Sequence, residues 1–230
     1  MCILKQIKDF EPDFEKNKFF SMVISSPRRS GKSHLVKYLF KNYLEDQYDV
    51  YVIFTTEQNS EYYSEFVAGD LIFSSYDESK IDKIKEMQAN SLHQKNKMLK
   101  ILIIFDDIVG RGRIKNNDQI LQLFLNGRHQ NISIIYITQD IYLLQPAIRG
   151  NLDYFITFRT RTARDRDYVI DNFMYLDDDD YDTSKYSEKK YSKLILNHFL
   201  IDYQCLIWNF NIQSNQLADI LFKFRAPINV

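Results

Sequence analysis

The sequence predicts an α/β fold: a central, mostly parallel β-sheet flanked by helices, with a small α+β C-terminal extension. Three observations carry this. Apolar runs of strand length recur along the chain, and they are nearly continuous rather than alternating, as in strands buried on both faces. Stretches with apolar residues at helical spacing separate them, an alternation that favours parallel pairing through crossover helices. A phosphate-binding motif stands at the first complete strand–helix junction.

The strands are expected over residues 19–25, 49–55, 101–105, 132–138 and 154–158. The helix over 33–44 follows from Leu35, Val36, Leu39, Phe40 and Tyr43, which share one face. Residues 79–88 and 118–125 read as two more helices, and 163–174 as a fourth. The acidic run Asp177 to Asp180 reads as an exposed loop, because adjacent like charges repel and stay hydrated. Residues 194–210 are apolar and β-prone, and 216–224 read as a final helix stopped by Pro227. Without repeats or a Pro/Gly-rich linker, residues 1–160 form the expected core and 161–230 complete the same domain.

Composition narrows the classes. The 230 residues are 45% hydrophobic and 27% charged, which excludes a disordered chain. Thirty basic residues against thirty-one acidic ones give a net charge of −1. A nucleic-acid binder with that balance must concentrate its positive charge on one face or line a ring with it. No apolar run reaches the ~18 residues of a membrane helix, and the first ten residues carry no secretory signal. Neither membrane insertion nor secretion is therefore expected. Cys2 and Cys205 make no disulfide framework, which points to a reducing compartment.

The strongest motif is Ser26-Pro27-Arg28-Arg29-Ser30-Gly31-Lys32-Ser33, between the strand at 19–25 and the helix at 33–44. Phosphate oxygens are held there by loop N–H groups and the helix N-terminus. Pro27 through His34 are the expected nucleotide-binding residues, with Gly31 permitting close backbone approach. Lys32 is placed to reach the β- and γ-phosphates, and the Ser33 hydroxyl to ligate Mg²⁺. Ser26 stands where the motif expects its first glycine, so the loop geometry is expected to depart there.

Ile101-Leu102-Ile103-Ile104-Phe105-Asp106-Asp107 ends a buried strand in two acids. Ligands of open α/β sheets bind at that carboxyl edge. Asp106 fits a Mg²⁺-holding residue and Asp107 the base or water-orienting group, which makes the chain a hydrolysing P-loop NTPase. Gln139 closes the next strand and fits a polar sensor of the γ-phosphate. Arg128 precedes that strand, at the edge opposite its own nucleotide, where it either serves a neighbouring subunit as an arginine finger or complements a helix dipole. His129 reads as a packing residue.

The run IIFDD, the segment NGRHQNIS and the strand end ITQ resemble the genome-packaging ATPases of poxviruses and other large DNA viruses, of the FtsK/HerA division. FFSMVISSPRRSGKSHLV, YVIFTT and FRTRTARDRDYVIDNFM keep the same order, so the resemblance covers residues 19–174. It implies that Lys32 and Ser33 bind ATP and Mg²⁺, that Asp106 and Asp107 form the acidic pair, that Gln139 is the sensor and that Arg128 is the finger. It also implies a homo-oligomeric ring of five or six subunits that drives double-stranded DNA through a portal vertex into a capsid. Such a protein works in the host cytoplasm at the assembly site, with the virion as a further location. Arg111, Arg113 and Lys115, in a glycine-bearing loop after the acids, are the candidate DNA-phosphate contacts, and Arg159, Arg161, Arg164 and Arg166 form a second basic cluster. The alternatives at this level are a nucleotide kinase, a DNA pump of the conjugation type and a nucleotide-binding structural component without turnover.

Overall fold

The computed structural model describes residues 3–14, 19–107 and 117–227. Strands β1 (Lys8–Asp9), β2 (Ser21–Ser25), β3 (Val50–Phe54), β4 (Ile72–Phe73), β5 (Ile101–Asp106), β6 (Ile132–Thr138), β7 (Tyr154–Thr157), β8 (Cys205–Asn209) and β9 (Leu221–Phe224) form one sheet in the order β1-β9-β8-β7-β2-β6-β5-β3-β4. Every pairing is parallel except those of β8 with β7 and with β9. The helices are α1 (Lys32–Leu39), α2 (Glu57–Ser64), α3 (Glu78–Lys95), α4 (Asp118–Asn126), α5 (Pro146–Arg149), α6 (Ala163–Phe173), α7 (Glu188–Phe199) and α8 (Leu217–Ile220). Among the described residues no helix is long and apolar enough to cross a membrane.

Two apolar layers explain the continuous strand runs. Met22, Ile24, Leu102, Ile104, Ile135 and Ile137 face the layer that holds Leu35, Val36 and Leu39 of α1. Val23, Ile103, Phe105, Ile134 and Tyr136 face the opposite layer, with Ile81 and Ile84 of α3 and Ile120, Leu123 and Phe124 of α4. Alternate residues of one strand thus enter different cores, and a polar side chain such as Ser133 is accommodated there by hydrogen bonds from the Phe20 N–H and Tyr48 Oη.

The C-terminal third departs from expectation in two places. Residues 194–210 are not one β-prone stretch: α7 takes the first part, burying Tyr191, Ile195, Leu196 and Phe199 on one face, and β8 takes the last. Residues 216–224 are not one helix. Only the single turn of α8 forms, and Leu221 to Phe224 instead pair with β8 and β1, where ladder hydrogen bonds and burial override local helix preference. The acidic run is exposed at Asp177, Asp178 and Asp179, as expected, with Asp178–Asp180 in a 3₁₀ turn whose capping box joins Asp177 and Asp180.

One buried carboxylate ties β2 to the start of β7. Asp153 Oδ2 accepts from the Ser21 backbone N–H at 2.7 Å and from Ser21 Oγ at 3.0 Å. Ser21 Oγ in turn accepts from the Asp153 N–H at 3.1 Å. Asp153→Ala strands the buried Ser21 N–H, while Ser21 Oγ keeps the Asn151 carbonyl as acceptor at 2.8 Å, and is expected to lower stability by about 1–3 kcal/mol, read as a lowered midpoint of urea unfolding. An unchanged midpoint would show that the clamp contributes nothing.

Candidate active site

The phosphate loop leaves the carboxyl end of β2 and opens α1. The Ser26 N–H donates to Thr138 O at 3.1 Å, extending the β2–β6 ladder by one residue. Positive φ then occurs at Arg29 (59°) and Gly31 (102°), while Ser26 is outside that region. The serine in place of glycine therefore costs no backbone strain. A Cβ on Gly31 would lie 3.4 Å from the Tyr203 ring and 3.5 Å from that of Phe158. Glycine is favoured there by conformation, since those distances are ordinary van der Waals contact.

Lys32 is buried, and its Nζ donates to Ser26 O at 2.7 Å and Pro27 O at 2.8 Å. An ammonium has three donors, so one more is available to an anion. Burial holds the Lys32 pKa below the usual lysine value, opposed by the nearby charges of Asp107 and Asp106. Ser26 Oγ and Ser30 Oγ are buried without a hydrogen-bond partner. Unpaired hydroxyls beside a buried ammonium and an opening helix fit a bound phosphate chain. Ser33 is exposed, with its backbone carbonyl accepting from Tyr62 Oη at 2.6 Å. His34 Nε2–H donates to Pro227 O at 2.6 Å.

The strand register brings the other groups to this loop. Ser25 pairs with Thr138, and Asp106 with Ile137, so the loop, the acids and Gln139 emerge at one edge. Asp106 is buried and its Oδ2 accepts from Tyr63 Oη at 2.9 Å. Burial pushes its carboxyl above the ordinary aspartate range; the Tyr63 bond pulls it back, Asp107's charge raises it and Lys32 lowers it. Asp107 is exposed at φ 57° and accepts on Oδ2 from Gln139 Nε2. Gln139 Oε1 accepts from Arg28 Nε at 3.0 Å, and the Arg28 carbonyl accepts from Arg161 Nη2 at 2.9 Å. The row Arg28–Gln139–Asp107 joins the loop after β2, the residue after β6 and the second acid.

Ser33 and Asp106 are the groups suited to a hard divalent cation. Among the described residues no three His, Cys, Asp or Glu side chains gather as a metal site. A Mg²⁺ here would complete its shell with phosphate oxygens and water, as that ion ordinarily does.

Arg128 stands elsewhere. It lies in the 3₁₀ turn Gly127–Gln130 before β6, at the amino edge of the sheet, with Nη1 3.5 Å from Asp153 Oδ1. The seven residues of β6 separate it from Gln139 by about 20 Å. His129 is exposed beside it. Arg111, Arg113 and Lys115 lie outside the described residues. In the second basic cluster, Arg159, Arg161 and Arg164 are exposed, and the Arg164 guanidinium sits 4.2 Å from the centre of the Tyr142 ring.

The contribution of α2 was not predicted. Tyr63 and Tyr62, with Asn59 a further hydrogen-bonding neighbour of Asp106, come from this helix. Its one buried residue is Tyr63, so no apolar periodicity announces it. A weaker signal was available: the segment follows the carboxyl end of β3, on the ligand edge of the sheet.

The family described as Poxvirus A32 protein matches residues 7–176. The chain belongs to the poxvirus A32 protein family. All of the loop, acid, sensor and Arg128 positions fall within the A32 match. The chain is 25% identical over 207 residues to the uncharacterized protein 015R of Frog virus 3, covering 90% of this chain and 61% of that relative, so it spans less than two thirds of the relative's length. It is similar in structure to B204, the DNA-packaging ATPase of Sulfolobus turreted icosahedral virus, with 24% identity, 90% of this chain and 98% of that chain covered, and a TM-score of 0.59. The genome-packaging NTPase B204 of Sulfolobus turreted icosahedral virus 2, in complex with AMPPCP, gives 21% identity, coverage of 92% and 100%, and a TM-score of 0.60. These likenesses establish a shared α/β fold.

Burial of the Asp106 charge has a thermodynamic consequence. Because its pKa in the folded state is raised above 3.8, ionisation destabilises the fold as pH rises through the window above that value, and the cost is full at neutral pH. Asp106→Asn is therefore expected to raise the melting temperature at pH 7, with the gain disappearing below about pH 4. A lower melting temperature at pH 7 would contradict the assigned cost of burying this carboxylate.

Proposed function

We propose that this chain is an ATP-hydrolysing motor that drives double-stranded viral DNA into a capsid. The observation that carries this is the convergence at one sheet edge of Lys32, buried Asp106 and the Arg28–Gln139–Asp107 row. Membership of the A32 family and likeness to packaging ATPases support the same reading.

In this mechanism the loop N–H groups from Pro27 to His34 hold the phosphate chain, leaving aside proline, which has none. Lys32 neutralises charge on the β- and γ-oxygens. Ser33 and Asp106 are the residues that would hold a Mg²⁺, which would supply positive charge against the phosphate oxygens. Asp107, exposed and turned outward by its left-handed backbone, accepts a hydrogen bond from the attacking water and orients it. The water oxygen bonds to the γ-phosphorus as the bond to the β–γ bridging oxygen breaks, giving ADP and phosphate. Gln139, held between Arg28 and Asp107, couples γ-phosphate occupancy to the position of that acid. The ring closes the site: Arg128, about 20 Å from its own loop, faces a neighbour's nucleotide in a ring of five or six subunits.

Arg111, Arg113 and Lys115 follow Asp107 closely in sequence, so a change at the acids reaches the DNA-contact loop with little chain between them. Their contacts are to phosphates and carry no base information. The capsid or portal vertex is the partner, and the host cytoplasm at the assembly site, then the virion, are the places of work.

Steady-state ATP hydrolysis with and without linear double-stranded DNA tests this directly. Stimulation by DNA that fades as salt rises is expected. Asp107→Asn should cut turnover by about 10²–10⁴-fold while ATP still binds. Hydrolysis indifferent to DNA at every salt concentration would contradict the motor, and normal turnover in Asp107→Asn would remove Asp107 from the mechanism.

A further inference from the structure

Two clefts flank the phosphate loop on the side away from Asp106, Asp107 and Gln139. One, of about 470 Å³, lies between the loop and residues 158–161 and 200–204, with Arg28, Arg29, Arg159 and Arg161 among its lining. The other, of about 500 Å³, opens over Gly31, His34 and Leu35 and is walled by Phe158, Tyr203 and Ala226. Both are lined by Phe158, Asp202 and Tyr203.

Their position follows from the polarity of the sheet. The groups for hydrolysis come from β5 and β6, which lie on one side of β2, whereas β7 lies on the other. A nucleotide whose γ-phosphate faces Asp107 and Gln139 must extend its remaining end the opposite way. That direction crosses Gly31 toward the end of β7, where Phe158 stands and the second cleft opens. We infer that this cleft receives the nucleobase of the nucleotide, stacked on the exposed ring of Tyr203; the inference rests on the phosphate-loop function proposed above.

The chemistry of the walls fits a flat aromatic ring with polar edges. Tyr203 is 70% exposed, so its ring is accessible to a ligand in the cleft that it lines. It is displayed by a turn in which Asp202 (φ 46°) and Tyr203 (φ 63°) are both left-handed. The turn is fixed by Gln204, whose N–H donates to Ile201 O and whose Nε2 donates to Phe199 O, each at 2.8 Å. Phe158 is buried below, and its ring and that of Tyr203 both approach the position of a Gly31 Cβ. Asp202, an acceptor when ionised, and Arg225, a donor, supply the polar partners such a ring and its sugar need. The His34–Pro227 bond fastens the chain after β9 to α1 and so closes the far wall. Asp202, Tyr203 and Arg225 all lie beyond residue 176, outside the family match. Nucleoside recognition is therefore assigned to the C-terminal part, separate from the phosphate chemistry.

Calorimetric titration of the full chain with ATP and with inorganic tripolyphosphate, both with Mg²⁺, tests this. Tyr203→Ala is expected to weaken ATP binding about tenfold, the loss of one base–aromatic stack, and to leave tripolyphosphate binding unchanged. Tyr203→Phe keeps the ring face and should bind ATP as the wild type does. If Tyr203→Ala binds ATP normally, or weakens both ligands alike, the nucleobase cleft is overturned. Lys32→Ala separates the two levels: it should weaken both ligands. If it weakens both while Tyr203→Ala changes neither, the base cleft alone fails. If Lys32→Ala changes neither ligand, the phosphate-loop function fails with it.

Discussion

The in-register parallel pairing of β2 with β6, and of β6 with β5, sets where the candidate catalytic groups stand. Ser25 opposite Thr138 and Asp106 opposite Ile137 make three strands end almost level. Polar residues then begin together: the phosphate loop after β2, the acids at the end of β5, and Gln139 after β6. A slip of one residue would send alternate side chains of a strand into the wrong core, among them Ser133, whose Oγ accepts from the Phe20 N–H and Tyr48 Oη. The same packing that stabilises the sheet thus holds the chemistry in place.

Charge at this edge is held against the preference of the interior. Burial disfavours the charged form of Lys32 and of Asp106, and each is partly relieved by the other's field. Tyr63, whose own hydroxyl is pushed far above the usual tyrosine value by burial and then by Asp106, donates to the carboxylate and fixes it. Asp107 escapes the interior by a left-handed turn of the backbone one residue later. Two adjacent acids thereby acquire different environments, one buried and bonded to Tyr63, the other exposed and bonded to Gln139.

Much of this was legible in the residues. Continuous runs such as ILIIFDD and ISIIYIT announce strands covered on both faces, and residue type at their ends identifies the acids and Gln139. The illegible parts have physical reasons. In α7 the adjacent Leu194, Ile195 and Leu196 imitate a strand, while the helical face begins further back at Tyr191. Strand β9 exists because β8 and the distant β1 lie beside it, a condition no local window contains. Tyr63 reaches Asp106 across 43 residues from a largely polar helix. Ser26 looked like a defect in the loop, yet the positive φ values fall at Arg29 and Gly31 instead.

Amide hydrogen exchange with and without a non-hydrolysable ATP analogue and Mg²⁺ tests the central claim most directly. Ligand-induced protection is expected in residues 27–34 and around 106–107 and 139, at the carboxyl edge of β2, β5 and β6. The turn at 127–130, on the opposite edge, should be unchanged when the chain is monomeric. Protection concentrated away from the carboxyl edge, or none in the loop at saturating ligand, would contradict the assignment of this edge as the nucleotide site.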